Sequence, residues 1–419
     1  MRIVLVGGIM KKRIIGFVGL IAILVCNLTS CLLGMDENGK YLTEAEALSM
    51  ISGIESGSVN NVNITVDGAN NVISASRAVL STVSVSCTFE TKRYQYVSVG
   101  KTETSSGSGV IYKLDKENGD AYIITNYHVV YHLYSTKENK IADDIKLFLY
   151  GMEYDNYAIP ATYVGGSMAY DLAVLRVDGS DILKTSNAIA ATVANSDEIS
   201  ILETAIAVGN PGGLSATAGY VNIDSEYLTM LAPDKITNIQ LRVIRTSAPV
   251  NPGNSGGGLY NAEGELIGIV NAKSTETTTD NKGYAIPSNV AKYVADNIIY
   301  YCADGKCENV KKSLLGVDIG VAASRSEYDE NTAKIKKIET VSVTNVDSAG
   351  AAYGKLYTAD VIKALTVGGV RYEITRSFQV IDLMINARVG ESVVFSVLRD
   401  GVKTDVSIEI TESMMSDII

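Results

Sequence analysis

The sequence predicts an all-β protein built as two unequal β-rich units, on three observations. Short β-branched runs alternate with turn residues from Ala78 to Asn271, the texture of an antiparallel sandwich or barrel. One helical stretch follows, with Val290, Tyr293, Val294 and Ile298 on a common face, and closes the first unit. After a charged, turn-rich break the strand texture resumes around a second amphipathic helix.

The elements come in the following order. Lys11-Lys12-Arg13 and the apolar run 14–28 have the form of a signal peptide. Leu28-Thr29-Ser30-Cys31 then resembles the lipobox of bacterial lipoproteins, which implies that residues 1–30 are removed and Cys31 carries the lipid. An uncleaved anchor helix is the other reading, since about 20 apolar residues span a bilayer. Either way the rest of the chain lies outside the cytoplasm, held at a membrane. Residues 31–75 read as a polar tether with one short helix near 44–54.

The first domain is expected over 76–302. Its strands are predicted at 79–87, 109–114, 122–125, 145–150, 161–164, 172–177, 204–208, 240–246 and 266–271, and its closing helix opens at Pro287-Ser288-Asn289. Residues 303–312 are the linker. The second domain, 313–412, reads as strands at 335–344, 370–374, 392–399 and 404–410, with a helix near 377–385 and a hairpin turn at Asp400-Gly401.

Composition narrows the function. The chain has 419 residues, 46% hydrophobic and 20% charged, with a formal charge of −11. Without the leader, 32 basic residues face 47 acidic ones. Such a surface disfavours nucleic acid, and charge alone would not hold it to anionic lipid. Beyond Cys31 only three cysteines remain. Cys302 and Cys307 bracket an Asp-Gly turn and are either a short-loop disulfide or two free thiols, while Cys87 reads as a buried small hydrophobe. No Cys or His spacing suggests a metal, and no cofactor is expected.

Cleaving an amide at neutral pH requires an activated nucleophile, a base and donors for an oxyanion. There are two histidines. His128 follows the strand Ile123–Thr125 and is the candidate base; nothing around His132 suggests a partner. Asn251-Pro252-Gly253-Asn254-Ser255-Gly256-Gly257 brackets one serine with glycines, whose freedom of φ lets backbone N–H groups converge. Ser255 is therefore the candidate nucleophile, with Gly253, Asn254 and Ser255 forming the oxyanion hole through the Gly253 and Ser255 amides. Asp171, opening the strand Leu172–Val177, is the candidate carboxylate that orients the imidazole; Asp178, at the far end, reads as a turn residue.

The order His128, Asp171, Ser255, at separations of 43 and 84 residues, resembles the chymotrypsin class. The strings Thr125–Val130, Asp171–Asp178, Val208–Leu214, Asn251–Leu259 and Gly283–Asn289, with Ser106–Ile111, together resemble the HtrA/Deg family of exported quality-control proteases. The resemblance implies a chymotrypsin-like double β-barrel of two six-stranded halves with the triad between them, and a homotrimer. It also implies an ATP-independent serine endopeptidase acting on unfolded or misfolded exported polypeptides. Asn254 stands where digestive relatives carry an Asp, so activation by a freed N-terminus is not expected. By position, Val270, Asn271, Ala272 and Lys273 line the specificity pocket, and no carboxylate sits there. Cleavage after small or medium aliphatic residues follows.

Leu314-Leu315-Gly316-Val317 ahead of a β-rich module resembles the start of a PDZ domain, as do Ser348-Ala349-Gly350 and Val397–Gly401. Leu315, Gly316 and Val317 would then offer amides to a peptide's C-terminal carboxylate. Ala359 stands where the pattern has a Gly before Asp360. The reading from another class is a non-enzymatic holdase that binds exposed apolar segments.

Overall fold

The computed structural model describes residues 69–92, 99–152, 154–210, 213–271, 282–302, 304–305, 309–330 and 334–418. The leader, Cys31, the helix expected near 44–54, Ala272, Lys273 and Cys307 lie outside them.

Helix α1 (Ala69–Leu80) begins inside the stretch read as tether and leads into β1 (Thr82–Lys92). There follow β2 (Val99–Asp115), β3 (Asp120–Thr125), the one-turn helix α2 (Tyr127–Val130), β4 (Asp144–Phe148), β5 (Ile159–Pro160), β6 (Thr162–Ser167) and β7 (Leu172–Val177). They form one antiparallel sheet in the order β5-β4-β1-β2-β3-β7-β6. Seven strands stand where six were expected because the run 159–167 breaks at Ala161. Its first part pairs with β4 and its second with β7, so the two outer strands are neighbours in sequence and the sheet curls on itself. Alternating residues of these strands, among them Val85, Cys87, Ile123, Leu147 and Leu175, fill the enclosed core. Each contributes about 1.5–3 kcal/mol when fully buried.

A short helix α3 (Asp181–Thr185) leads to β8 (Thr204–Gly209), β9 (Ser215–Leu231), β10 (Asn238–Thr246), β11 (Gly258–Tyr260), β12 (Leu266–Val270) and β13 (Gly283–Pro287). These six close into a barrel in the order β10-β13-β12-β11-β8-β9, packed inside with Val221, Ile244, Leu259, Ile267 and Val270. Helix α4 (Ser288–Cys302) lies against β12, β6 and β7. Cys302 at its end is disulfide-bonded.

The second module holds β14 (Val310–Ser313), β15 (Val317–Asp329), β16 (Lys334–Val346), β17 (Val361–Val367), β18 (Val370–Glu373), helix α5 (Ser377–Leu383), β19 (Ser392–Arg399), β20 (Val402–Glu409) and β21 (Met415–Ile418). The main sheet runs β15-β16-β17-β19-β20, with β18 on β17. The stretch read as linker is strand in its second part: residues 310–313 pair antiparallel with 415–418, beyond the expected end of the module at 412.

The module is docked on the barrel through α5. Arg242 of β10 lies over the Phe378 ring at 4.0 Å and forms an ion pair with Asp382 at 2.7 Å, while Arg376 pairs with Asp224 at 2.6 Å. Burial raises the Asp382 carboxyl above the ordinary carboxylate range, against the pull of Arg242. Asn297 of α4 donates to the carbonyls of Lys311 and Ile385, each at 2.7 Å.

Candidate active site

Asp171 is the hub. It sits in the left-handed region, φ 48°, a conformation that costs an ordinary residue about 1 kcal/mol or more. That twist turns both its carbonyl and its carboxylate back toward residues 126–128. The carbonyl accepts from Tyr127 N at 3.1 Å and Asn126 Nδ2 at 2.9 Å. One carboxylate oxygen accepts from the backbone amide of His128 at 3.0 Å, and the other lies 2.7 Å from His128 Nδ1. The carboxylate is almost fully buried, and the imidazole is 16% exposed. With Nδ1 donating its hydrogen to Asp171, the lone pair of Nε2 is the one available to take a proton.

A third donor reaches the same carboxylate. Asn271 Nδ2 bonds Asp171 Oδ2 at 2.9 Å from the end of β12. Sequence reasoning assigned Asn271 and Val270 to the specificity pocket. Val270 is fully buried in the barrel and the Asn271 side chain is turned to Asp171, while Ala272 and Lys273 of that stretch lie outside the described residues. The two are 100 positions apart, so no local signal could have shown the contact.

The Ser255 turn is held on every side. Gly256 N donates to Val270 O at 3.0 Å, Val270 N to Gly257 O at 2.8 Å, and Gly257 N to Asn254 O at 2.9 Å. The last bond turns the 254–255 peptide so that the Ser255 amide faces away from the turn. Gly253 has φ 99° and Gly256 φ 84°. A Cβ on Gly256 would lie 2.1 Å from Ser108 O and 2.4 Å from Thr125 Oγ1, so the Ser255 turn fits flush against the strand end that carries His128. One at Gly107 would meet both Val129 and the Ser255 carbonyl within 3.0 Å. The turns of His128 and Ser255 therefore share one seam.

Ser108 was not singled out by sequence, yet it is fully buried and joins the two halves. Its amide donates to Ser255 O at 2.8 Å and its hydroxyl to Gly253 O at 2.7 Å. The same hydroxyl accepts from Asn210 N at 2.8 Å.

His132 does have a partner, contrary to the sequence reading: its Nε2 lies 3.1 Å from Glu103, and the ring packs near Phe89. Asp178 caps its strand in an ion pair with Arg176 at 2.6 Å. Leu315, Gly316 and Val317 line a groove of about 850 Å³ facing Val380 and Ile381 of α5 and Met384 just after it. The amides of Leu315 and Gly316 donate to no group among the described residues. No cluster of metal-ligating side chains occurs among the described residues.

Residues 107–269 match the trypsin-like peptidase domain. The chain is 33% identical over 322 residues to the serine protease Do-like HtrA of Lactococcus lactis subsp. cremoris, covering 74% of this chain and 72% of that protein. It is 32% identical over 308 residues to the serine protease Do-like HtrA of Bacillus subtilis, covering 72% of this chain but 62% of the relative. The HtrA-type protease AlgW with tripeptide aligns at 27% identity over 82% of this chain and 96% of its own, with a TM-score of 0.49.

Proposed function

This chain belongs to the HtrA family of trypsin-like serine proteases, and from that premise we propose that it is an exported, membrane-anchored endopeptidase using His128, Asp171 and Ser255. The observation that carries the assignment is the His128 Nδ1–Asp171 Oδ2 contact of 2.7 Å, buried beside the Ser255 turn.

The residues act as follows. Asp171 fixes the tautomer and plane of His128 and stabilises the imidazolium that forms, helped by Asn271. His128 Nε2 takes the Ser255 hydroxyl proton as the oxygen attacks the scissile carbonyl, and returns it to the leaving amine. Water then attacks the acyl-enzyme, with His128 again as base. The amides of Gly253 and Ser255 stabilise the oxyanion, and each such donor is worth about 10²–10³ in rate. No step consumes ATP.

Substrates are unfolded or misfolded exported polypeptides, because an extended backbone must enter the seam between the two β-units. Cleavage follows small or medium aliphatic residues. The second module takes the C-terminal end of a peptide in the groove at Leu315–Val317, where two amides await a carboxylate. The leader motif and a disulfide at Cys302 support an oxidising compartment outside the cytoplasm. Cys31 carries the lipid anchor, and the protein assembles as a homo-oligomer, a trimer by family likeness.

The test is hydrolysis of unfolded casein by the purified protein without nucleotide. Activity is expected in the parent and lost in Ser255→Ala and His128→Ala. Undiminished cleavage by Ser255→Ala would remove the mechanism.

A further inference from the structure

The left-handed backbone of Asp171 persists only if its surroundings over-determine it. On one side they do, through the four bonds of 2.7–3.1 Å that its carbonyl and carboxylate make to residues 126–128. On the other side, the turn 167–171 closes with two long bonds. Asp171 N donates to Met168 O at 3.3 Å, and Tyr170 N to Ser167 Oγ at 3.4 Å. The approach to Asp171 therefore needs support from outside the turn.

Tyr170, the residue before Asp171, is placed to give it. Its ring packs against the apolar core that runs from the barrel through α4 into the second module. Its hydroxyl accepts from Lys312 Nζ of β14 at 3.3 Å, across 142 positions of sequence. That bond is also long, but its donor is charged and the ring packing backs it. Burial, and after it the Asp382 carboxylate of α5, push the Tyr170 hydroxyl above its ordinary range, so it stays a neutral phenol at neutral pH.

The base of the Lys312 side chain is fixed in turn. Asn297 of α4 grips the neighbouring Lys311 on both sides, accepting from its amide at 2.9 Å and donating to its carbonyl at 2.7 Å. Asn309 bridges to Gly166 near the end of β6, and Gly166 is pressed on the Tyr127 ring, since a Cβ there would lie 2.7 Å from it. The strand entering the second module thus lies along the very turn that carries Asp171.

We propose that Tyr170 is a positioning residue for the hydrolysis: its side chain, braced by Lys312, holds the turn that aims the Asp171 carboxylate at His128. This rests on the His128–Asp171–Ser255 reading above and deepens it. Tyr170 itself meets neither substrate nor Ser255. Its loss should slow the proton transfer through His128 and leave substrate binding as it was.

The test is steady-state hydrolysis of a fluorogenic casein-derived peptide by the full chain and by Tyr170→Phe and Lys312→Met, two substitutions that keep most of the side chain's bulk. Each should lower kcat by about two- to tenfold, the worth of one hydrogen bond, with KM nearly constant. The double variant should lose no more than either single one, and Lys312→Arg, which keeps a donor, should recover most of the loss seen in Lys312→Met. Parental kcat in both single variants overturns the brace and leaves the triad standing. So does a lowered urea midpoint at parental kcat, which would make Tyr170 a packing residue only, and so do losses that simply multiply in the double variant. No hydrolysis by the parent overturns the triad reading and this one with it.

Discussion

The amide of Ser108 donates to the carbonyl of Ser255 at 2.8 Å, and the hydroxyl of the same Ser108 grips the carbonyl of Gly253 two residues earlier at 2.7 Å. One buried residue thus fixes the carbonyls on both sides of the Ser255 amide, the group proposed above to face a developing oxyanion. Ser108 comes from β2 and Ser255 from the loop before β11, so the contact spans the seam between the two β-units.

Replacing that hydroxyl is the first prediction. Ser108→Ala keeps the backbone bond to Ser255 but strands the Gly253 carbonyl and the Asn210 amide, each at a cost of about 1–3 kcal/mol when buried. We expect kcat/KM to fall by about tenfold or more. Affinity for a peptide boronate, which mimics the tetrahedral state, should fall in parallel while KM changes little. Equal weakening of substrate and boronate would assign Ser108 a merely structural part.

Asn271 offers the second. Asn271→Ala removes a 2.9 Å donor from the Asp171 carboxylate. A hydrogen bond to a buried charge is worth about 1.5–3 kcal/mol, so kcat should drop by about 10- to 100-fold with KM nearly constant. Steady-state kinetics on an aliphatic peptide substrate decides it. A change confined to KM would return Asn271 to the specificity pocket.

The third concerns Ala359, which adopts φ 74°. A left-handed Ala is strained by about 1–2 kcal/mol, and Gly recovers most of that less its own entropy cost. Ala359→Gly should therefore stabilise the second module by about 0.5–1 kcal/mol, read as a higher midpoint of its urea transition. No gain would mean that the neighbouring bonds, Ala359 N to Val343 O at 2.9 Å among them, have already absorbed the strain.

The next turns on acid. Burial pushes the Asp360 carboxyl up, but the Arg399 fork at 2.7 and 2.8 Å and the Tyr357 amide hold it below the ordinary range. Because its folded value lies below the unfolded one, its contribution is present above about pH 4 and lost as pH falls through the folded value. Asp360→Asn should lower stability at pH 7 and flatten the acid limb of a stability profile below pH 4. An unchanged limb would exclude it as a source of acid lability.

Cys87 supplies the last. Burial, helped by Asp144, pushes its thiol up to about 12, so hardly any thiolate exists at pH 8. Iodoacetamide should leave Cys87 unlabelled in the native protein at pH 8 and label it promptly in urea, as read by peptide mass mapping. Rapid native labelling would show that the sheet opens.

The strands with continuous apolar character, such as Leu172–Val177 and Leu266–Val270, were legible because burial on both faces leaves nothing else for such runs to do. β9 was not: apart from the buried Val221 and Met230 its residues are exposed or half-buried and include Ser, Thr, Gly and Asp, so its pairing with β8 and β10 is what makes it a strand. Helix α1 hid for a similar reason, since Asn, Ser and Val are weak helix formers. At the site, the Gly-bracketed Ser255 and the strand-edge Asp171 could be read locally. Ser108, Asn271 and the Glu103 partner of His132 could not, because each acts through a contact far away in sequence.

The pairing of residues 310–313 with 415–418 gives the second module two attachments at one spot instead of one. A flap hung from a single thread can swivel freely; one stitched down by both threads can only rock. Reorientation of this module must unzip that four-residue seam as well as release the α5 contacts, so trimming residues 415–418 would leave its posture resting on α5 and the linker alone.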